Sequence, residues 1–283
     1  MLKRAVLYLR MIRFSHSVFA LPFAFTAALL AADGIPSLKK ILWIAVAMVG
    51  GRSSAMGLNR IIDRKMDALN PRTSKREIPS GKIGLTEAFL FTLISTGVFI
   101  FAAYMLNPLC LKLSPFALAF FVLYPYTKRF TWLSHIVLGI SISGATIGAW
   151  IAVRDSFNLK IIPMALAVVF WLAGFDILYA LQDMDFDRAS GLYSVPQRFG
   201  IRNSIRLSRI SHILTWLLLL STSYIFNLGV LFYSGIFIAG GLLLYEHSLI
   251  KTDDLSRLNM AFFNMNGYIS VTVFIFTLLD ILL

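Results

Sequence analysis

Apolar stretches about twenty residues long recur along the chain, separated by polar connections, so sustained hydropathy is its first structural signal. They fall at residues 11–32, 39–59, 86–106, 113–127, 132–153, 161–181, 208–226, 228–248 and 261–282. Most have the length a helix needs to cross a hydrocarbon core of roughly 30 Å. The pattern predicts an all-α fold, a polytopic membrane bundle of nine transmembrane helices with a polar cytoplasmic cap, with residues 1–283 forming a single domain. The stretch at 113–127 is short and carries Pro115 and Pro125, which predicts a broken helix there. Interior glycines (Gly139, Gly144, Gly148, Gly240, Gly241) read as points of close helix contact. Lys3, Arg4, Arg10 and Arg13 before the first stretch imitate a secretory signal. The stretch also holds Ser15, His16, Ser17 and Pro22, and many spans follow it, so a retained first helix is expected.

Composition agrees with this reading. Hydrophobic residues make up 58% of the chain and charged residues 14%, against about 25% charged in soluble domains, which excludes an ordinary water-soluble fold. The net charge of +12 is not gathered on a basic helix or an aromatic-interleaved face. It therefore reads as a topology signal, and no nucleic-acid partner is expected. With the N-terminus inside, 20 of the 26 Lys and Arg lie in cytoplasmic connections, Arg52 lies within a span, and only Lys39, Lys40, Lys112, Arg154 and Lys160 lie on the other side. That asymmetry supports nine crossings in this orientation. Cys110 is the only cysteine, so neither an intrachain disulfide nor a cysteine-rich metal site can form.

Two connections, residues 60–85 and 182–207, are unusually long and polar, and chemistry is expected at them. Counting Asp176 just before the second, they account for seven of the 14 acids: Asp63, Asp67, Glu77, Asp176, Asp183, Asp185 and Asp187. The first reads Asn59-Arg-Ile-Ile-Asp63-Arg-Lys-Met-Asp67, whose spacing of four stacks Asn59, Asp63 and Asp67 on one helical face. Asp183 and Asp187 repeat that spacing, with the same offset of 120 from Asp63 and Asp67 (183 − 63 and 187 − 67). The repeat suggests two halves presenting matching acid faces to a shared cavity. Carboxylates at i and i+4 repel unless something binds between them. Mg2+ is the natural partner, because it takes hard oxygen ligands and is held by one or two carboxylates plus substrate phosphates. The bland alternative is a solvated fringe paired with nearby Arg and Lys. It suits one such pair better than two at equivalent helix ends. A third element, Tyr124-Pro-Tyr126-Thr-Lys128-Arg129, offers a hydroxyl and two cations that complement a diphosphate. Alone it would read as a belt aromatic followed by topology charges.

Three stretches together, NRIIDRKMDALNPRTSKREIPSG from Asn59, DILYALQDMDFDRASGLYSVPQRFG from Asp176 and YPYTKR from Tyr124, closely resemble the UbiA superfamily of intramembrane aromatic prenyltransferases. The resemblance implies that the acid motifs bind a polyprenyl diphosphate through Mg2+, with Asp63, Asp67, Asp183 and Asp187 as metal ligands. Asn59, Tyr124 and Lys128 are then substrate contacts. The implied reaction alkylates a ring carbon of a hydroxylated aromatic acceptor. Asp63 and Asp183 are the candidate catalytic residues, Asp183 as base for the ring hydroxyl or ring proton. Arg64, Arg72 and Arg129 are candidates to hold an acceptor carboxylate. The expected acceptor is 4-hydroxybenzoate, in respiratory quinone synthesis, although the N-P-R-T and I-P-S-G variants also resemble menaquinone-route members that prenylate a dihydroxynaphthoate. The expected location is a bacterial inner membrane, with the bilayer as partner and the active site facing the cytoplasm. Asp176, Asp185, Glu77 and Ile78 receive no role. A transporter would also place acids in a bundle, but typically near the midplane. His16, His135, His212 and His247 are dispersed and read as packing or interfacial residues.

Overall fold

A computed structural model of the chain describes residues 2–13, 17–250, 252, 254–255, 257–260 and 264–283. Among them the regular structure is entirely helical: α1 (Leu2–Met11), α2 (Ser17–Ala32), α3 (Leu38–Ile62), α4 (Arg64–Leu69), α5 (Leu85–Leu106), α6 (Pro108–Thr127), α7 (Ser134–Arg154), α8 (Ile162–Ala180), α9 (Met184–Ala189), α10 (Val195–Phe226), α11 (Val230–Ser248), α12 (Leu258–Met260) and α13 (Asn266–Leu282). Short 3-10 turns, Leu159–Ile161 and Leu181–Asp183, flank α8.

Seven helical runs are long and apolar enough to cross a membrane: α3, α5, α6, α7, the run Leu159–Ala189 built on α8, α10 and α11. Two shorter apolar helices, Ala20–Ala32 and Asn266–Leu282, lie within the first and ninth expected stretches, so seven of the nine expected spans are found at crossing length among the described residues. Ser15, His16 and Lys251, the last expected on the cytoplasmic side, lie outside the described residues.

Two expectations about boundaries are corrected. Pro115 and Pro125 do not break α6, which runs without interruption from Pro108 to Thr127. A proline at 115 leaves the Leu111 carbonyl without its helical donor, and the Ser114 hydroxyl donates to that carbonyl at 2.8 Å. Such side-chain repair is how membrane helices tolerate proline. The helix starts at 108 because Asn107 caps it, its Oδ1 accepting from the Cys110 N–H at 2.7 Å. The seventh expected span, at 208–226, extends N-terminally through polar turns to a break at Gly200, whose φ is +74°, and a short helical segment capped by Ser194 precedes that break from Val195. Its polar first turns hid it from a hydropathy window.

The chain divides into two compact units, one of Met1–Ser17 with Leu38–Tyr126, the other of Val18–Ser37 with Thr127–Leu283. In the first, α3 lies against α5. The Ser54 and Thr96 hydroxyls meet at 2.7 Å, and a Cβ on Gly50 would stand 2.9 Å from the Phe99 backbone nitrogen. Small residues permit this approach, and dispersion rewards it where lipid supplies no hydrophobic drive. Met11, Ile12, Ile83 and Ala88 form a core beside it, with Ile78 packed on that core. In the second unit α8 is the most enclosed helix, contacting α7 and α10. A Cβ on Gly139 would stand 2.5 Å from the Val169 carbonyl oxygen, and one on Gly174 would strike the His212 ring. Farther along, Asp280 of α13 caps α11 by accepting from the Gly229 and Phe232 N–H groups at 2.7 and 3.1 Å.

Candidate active site

The first acid cluster forms where α3 stops. Asp63 takes φ −89° and ψ 3°, between α3 and the six-residue α4, in the sparsely populated bridge region where active-site residues often sit. The four-residue ladder survives the junction. The Asp63 N–H donates to the Asn59 carbonyl at 3.0 Å and the Asp67 N–H to the Asp63 carbonyl at 2.8 Å. The Asn59 amide donates to the Asp63 carboxylate at 3.2 Å. Asn59, Asp63 and Asp67 thus share one face, as their spacing predicted.

Asp67 is buried and is held by two cations to which sequence reasoning gave no role. Arg76 donates to its Oδ1 at 2.7 Å, and the Arg60 guanidinium lies 3.9 Å from Oδ2. Arg60 is itself buried and anchored by donation to the Met11 carbonyl at 3.1 Å. The loop after α4 is drawn back by Thr73, whose hydroxyl donates to the Asp67 carbonyl at 2.9 Å. The sequence signal for Arg60 and Arg76 was limited to their positive charge. Asp67 Oδ2 is a buried oxygen without a hydrogen-bond partner. The orphaned Asp67 oxygen and the Asp63 carboxylate four residues earlier are hard oxygen donors of the kind Mg2+ takes. Among the described residues no group of three or more His, Cys, Asp or Glu converges to cage a metal. A Mg2+ site of this type draws its remaining ligands from water and phosphate. Of the candidate cations here, Arg64 turns back to the Ile61 carbonyl at 2.9 Å. Arg72 is half-buried, its N–H donating to Asn70 Oδ1 at 2.9 Å.

The second cluster repeats this local design. α8 ends, a 3-10 turn follows, and Asp183 takes φ −106° and ψ 2° immediately before the six-residue α9. Asp187 is buried, accepts a hydrogen bond from the Ser194 hydroxyl, and has Lys128, Asp183 and His135 within electrostatic reach. Ser194 also caps α10, accepting from the Gln197 N–H at 3.3 Å. Backbone bonds pin the intervening loop, Leu192 N–H to the Asp187 carbonyl at 2.9 Å and Tyr193 N–H to the Lys128 carbonyl at 2.8 Å. The second bond ties Lys128 to the segment that supports Asp187. Asp185, two residues from each partner, is exposed on the other side of α9. Tyr124 is half-buried in the last turn of α6, Lys128 is half-buried just past its end, and Arg129 is exposed.

His135 proves to be more than a packing residue. It is buried, and its Nδ1 lies 2.7 Å from Asp176 Oδ2, while its Nε2 accepts from the Val195 N–H at 3.3 Å. Three helices meet at this ring, α7 through His135, α8 through Asp176 and α10 through Val195.

Residues 20–268 match the UbiA prenyltransferase family. The chain is 32% identical over 248 residues to the 4-hydroxybenzoate octaprenyltransferase of Vibrio cholerae, covering 87% of this chain and 86% of that relative. The fold is similar to the apo structure of a UbiA homolog from Aeropyrum pernix, with a TM-score of 0.85, 30% identity, and coverage of 94% of this chain and 98% of that one. It is also similar to a UbiA homolog from Archaeoglobus fulgidus bound to GPP and Mg2+, with a TM-score of 0.71 over 98% of this chain and 100% of that one. At 18% identity this second likeness shows the fold alone.

Proposed function

The chain belongs to the UbiA prenyltransferase family of integral membrane transferases, and on that premise we propose that it moves a polyprenyl group from a polyprenyl diphosphate to a ring carbon of 4-hydroxybenzoate in respiratory quinone synthesis. The observation that carries this reading is the repeated acid station, a bridge-region aspartate followed four residues later by a buried one, at Asp63/Asp67 and again at Asp183/Asp187. The name of the Vibrio cholerae relative supports the acceptor. A prenyl diphosphate donor with Mg2+ is in keeping with the same fold in the Archaeoglobus fulgidus homolog, which is bound to GPP and Mg2+.

In this proposal Asp63, Asp67, Asp183 and Asp187 hold Mg2+ against one diphosphate, and Asn59 orients Asp63 through its amide. Bound Mg2+ supplies positive charge that stabilises the departing diphosphate as the carbon–oxygen bond ionises. Lys128 adds a charge-assisted contact to the same leaving group, beside Tyr124. Asp183 takes the proton of the ring hydroxyl, which raises the electron density of the ring carbon ortho to it. Arg64, Arg72 and Arg129 are the candidates for a forked pair with the acceptor carboxylate. Apolar helices keep water from the allylic cation and dissolve the isoprenoid tail.

The whole chain acts as one catalytic domain in this proposal. It crosses a bacterial inner membrane nine times, with α2 and α13 completing the first and last spans and both acid stations on the cytoplasmic side. The lopsided distribution of Lys and Arg supports that topology. The test is turnover by the purified protein with one polyprenyl diphosphate and a panel of acceptors that includes 4-hydroxybenzoate and a dihydroxynaphthoate. Prenylated 4-hydroxybenzoate as the preferred product is expected. Preference for the naphthoate would reassign the acceptor, and absence of any prenylated product would favour transport.

A further inference from the structure

The imidazole of His135 has both nitrogens committed. Val195 donates its N–H to Nε2, so that nitrogen carries no proton, and the proton of the neutral ring sits on Nδ1, where it is donated to Asp176 at 2.7 Å. His135 therefore has no lone pair to offer a substrate. The group it presents is the Asp176 carboxylate, which is 17% exposed beside a ring that is 1% exposed. Among the described residues Asp176 hydrogen-bonds to His135 alone, through Oδ2, and its Oδ1 is not sealed from solvent.

A carboxylate held this way inside a membrane helix is costly unless it works. Asp176 precedes Asp183 by seven residues, separated from it by the last turn of α8 and the 3-10 turn Leu181–Asp183, an axial rise of roughly 10 Å. The start of α10 steadies both depths at once, Ser194 donating to Asp187 and Val195 holding the ring that holds Asp176.

We infer that Asp176 is the catalytic acceptor of the ring-carbon proton, and that His135 is its positioning residue. This rests on the prenyl-transfer reading above and adds to it a base distinct from Asp183. In the step, the ring carbon bonds to the first carbon of the prenyl group, and the carbon–oxygen bond breaks with its electron pair going to the diphosphate. The C–H bond at the alkylated carbon then breaks, its pair restores aromaticity, and the proton goes to Asp176 Oδ1, to be given up to water as product leaves.

The experiment compares the parent protein with Asp176→Asn, His135→Ala and His135→Asn, using 4-hydroxybenzoate with hydrogen or deuterium on the ring. The parent is expected to show no isotope effect on kcat, because proton loss follows carbon–carbon bond formation quickly. Asp176→Asn should lower kcat roughly a hundredfold, leave KM for the diphosphate unchanged, and show a normal primary isotope effect because C–H cleavage has become slow. His135→Ala should shift the same way, and His135→Asn, whose amide can still donate to Asp176, should restore most of the rate. A parent-like kcat in Asp176→Asn overturns the inference, as does a loss expressed in KM or without an isotope effect. The near-isosteric Asp176→Asn carries the test alone should His135→Ala fail to fold. Absence of prenylated product from the parent would instead sink the prenyl-transfer reading itself.

Discussion

Asp63 and Asp183 occupy the same backbone station. Their dihedrals, φ −89° and ψ 3° against φ −106° and ψ 2°, differ little, and each residue immediately precedes a six-residue helix that carries a buried aspartate four positions on. A helix that continued unbroken would keep the four-residue spacing, so the break does not serve the spacing. It places the first carboxylate of each pair at a junction, partly open, while the second is enclosed. If both stations hold metal, Asp63→Asn and Asp183→Asn should each raise the Mg2+ concentration needed for half-maximal turnover by at least roughly tenfold. A Mg2+ titration of each variant checks this, and an unchanged midpoint in either removes that residue from the metal.

Lys128 is tied by its own carbonyl to the segment that carries Ser194, and it lies within electrostatic reach of Asp187. Lys128→Ala should weaken use of the prenyl diphosphate while sparing the acceptor. Loss of one charge-assisted contact costs about 1.5 to 3 kcal/mol, or roughly ten- to a hundredfold in kcat/KM. Equal small effects on both substrates would make Lys128 a topology charge only.

The proposed orientation is open to labelling. In a Cys110→Ser background, a cysteine at Ser190 should react only from the cytoplasm and one at Asn158 only from the opposite side. Asn158 is exposed and caps the turn before α8, accepting from the Lys160 N–H at 2.9 Å. Reaction of both positions from one side contradicts the crossing count.

Gly139 and Gly144 separate packing from mere composition. A Cβ at 139 would stand 2.5 Å from the Val169 carbonyl oxygen, whereas one at 144 meets nothing within 4 Å. Gly139→Val should destabilise the protein by about 1 to 3 kcal/mol through overpacking of α7 against α8. Gly144→Ala should leave stability nearly unchanged. Denaturant titration in detergent distinguishes them.

The sequence carried much of this because hydropathy and four-residue spacing are local. The acid faces and the apolar runs follow from adjacent residues. What escaped it depends on long-range contacts or on compensation. The continuity of α6 rests on one hydroxyl, Ser114, repairing the bond that Pro115 removes. The early start of α10 was hidden because its first turns are polar. The partners of Asp67, Arg60 and Arg76, looked like part of a general basic fringe. His135 and Asp176 lie 41 residues apart, and nothing local in either residue announces the other. The same is true of the Val195 N–H that fixes the ring.

The most direct test of the central claim, that two acid stations act with Mg2+ on one diphosphate, is the rate of prenylated product formation by purified protein in nanodiscs across a Mg2+ titration. The parent, Asp67→Ala and Asp187→Ala should be compared side by side. Turnover is expected in the parent with added Mg2+, loss of turnover with a chelator, and none in either variant at any Mg2+ concentration, although both variants still insert and purify. Near-parental turnover in either variant at limiting Mg2+, or turnover in the parent that ignores the chelator, would contradict it.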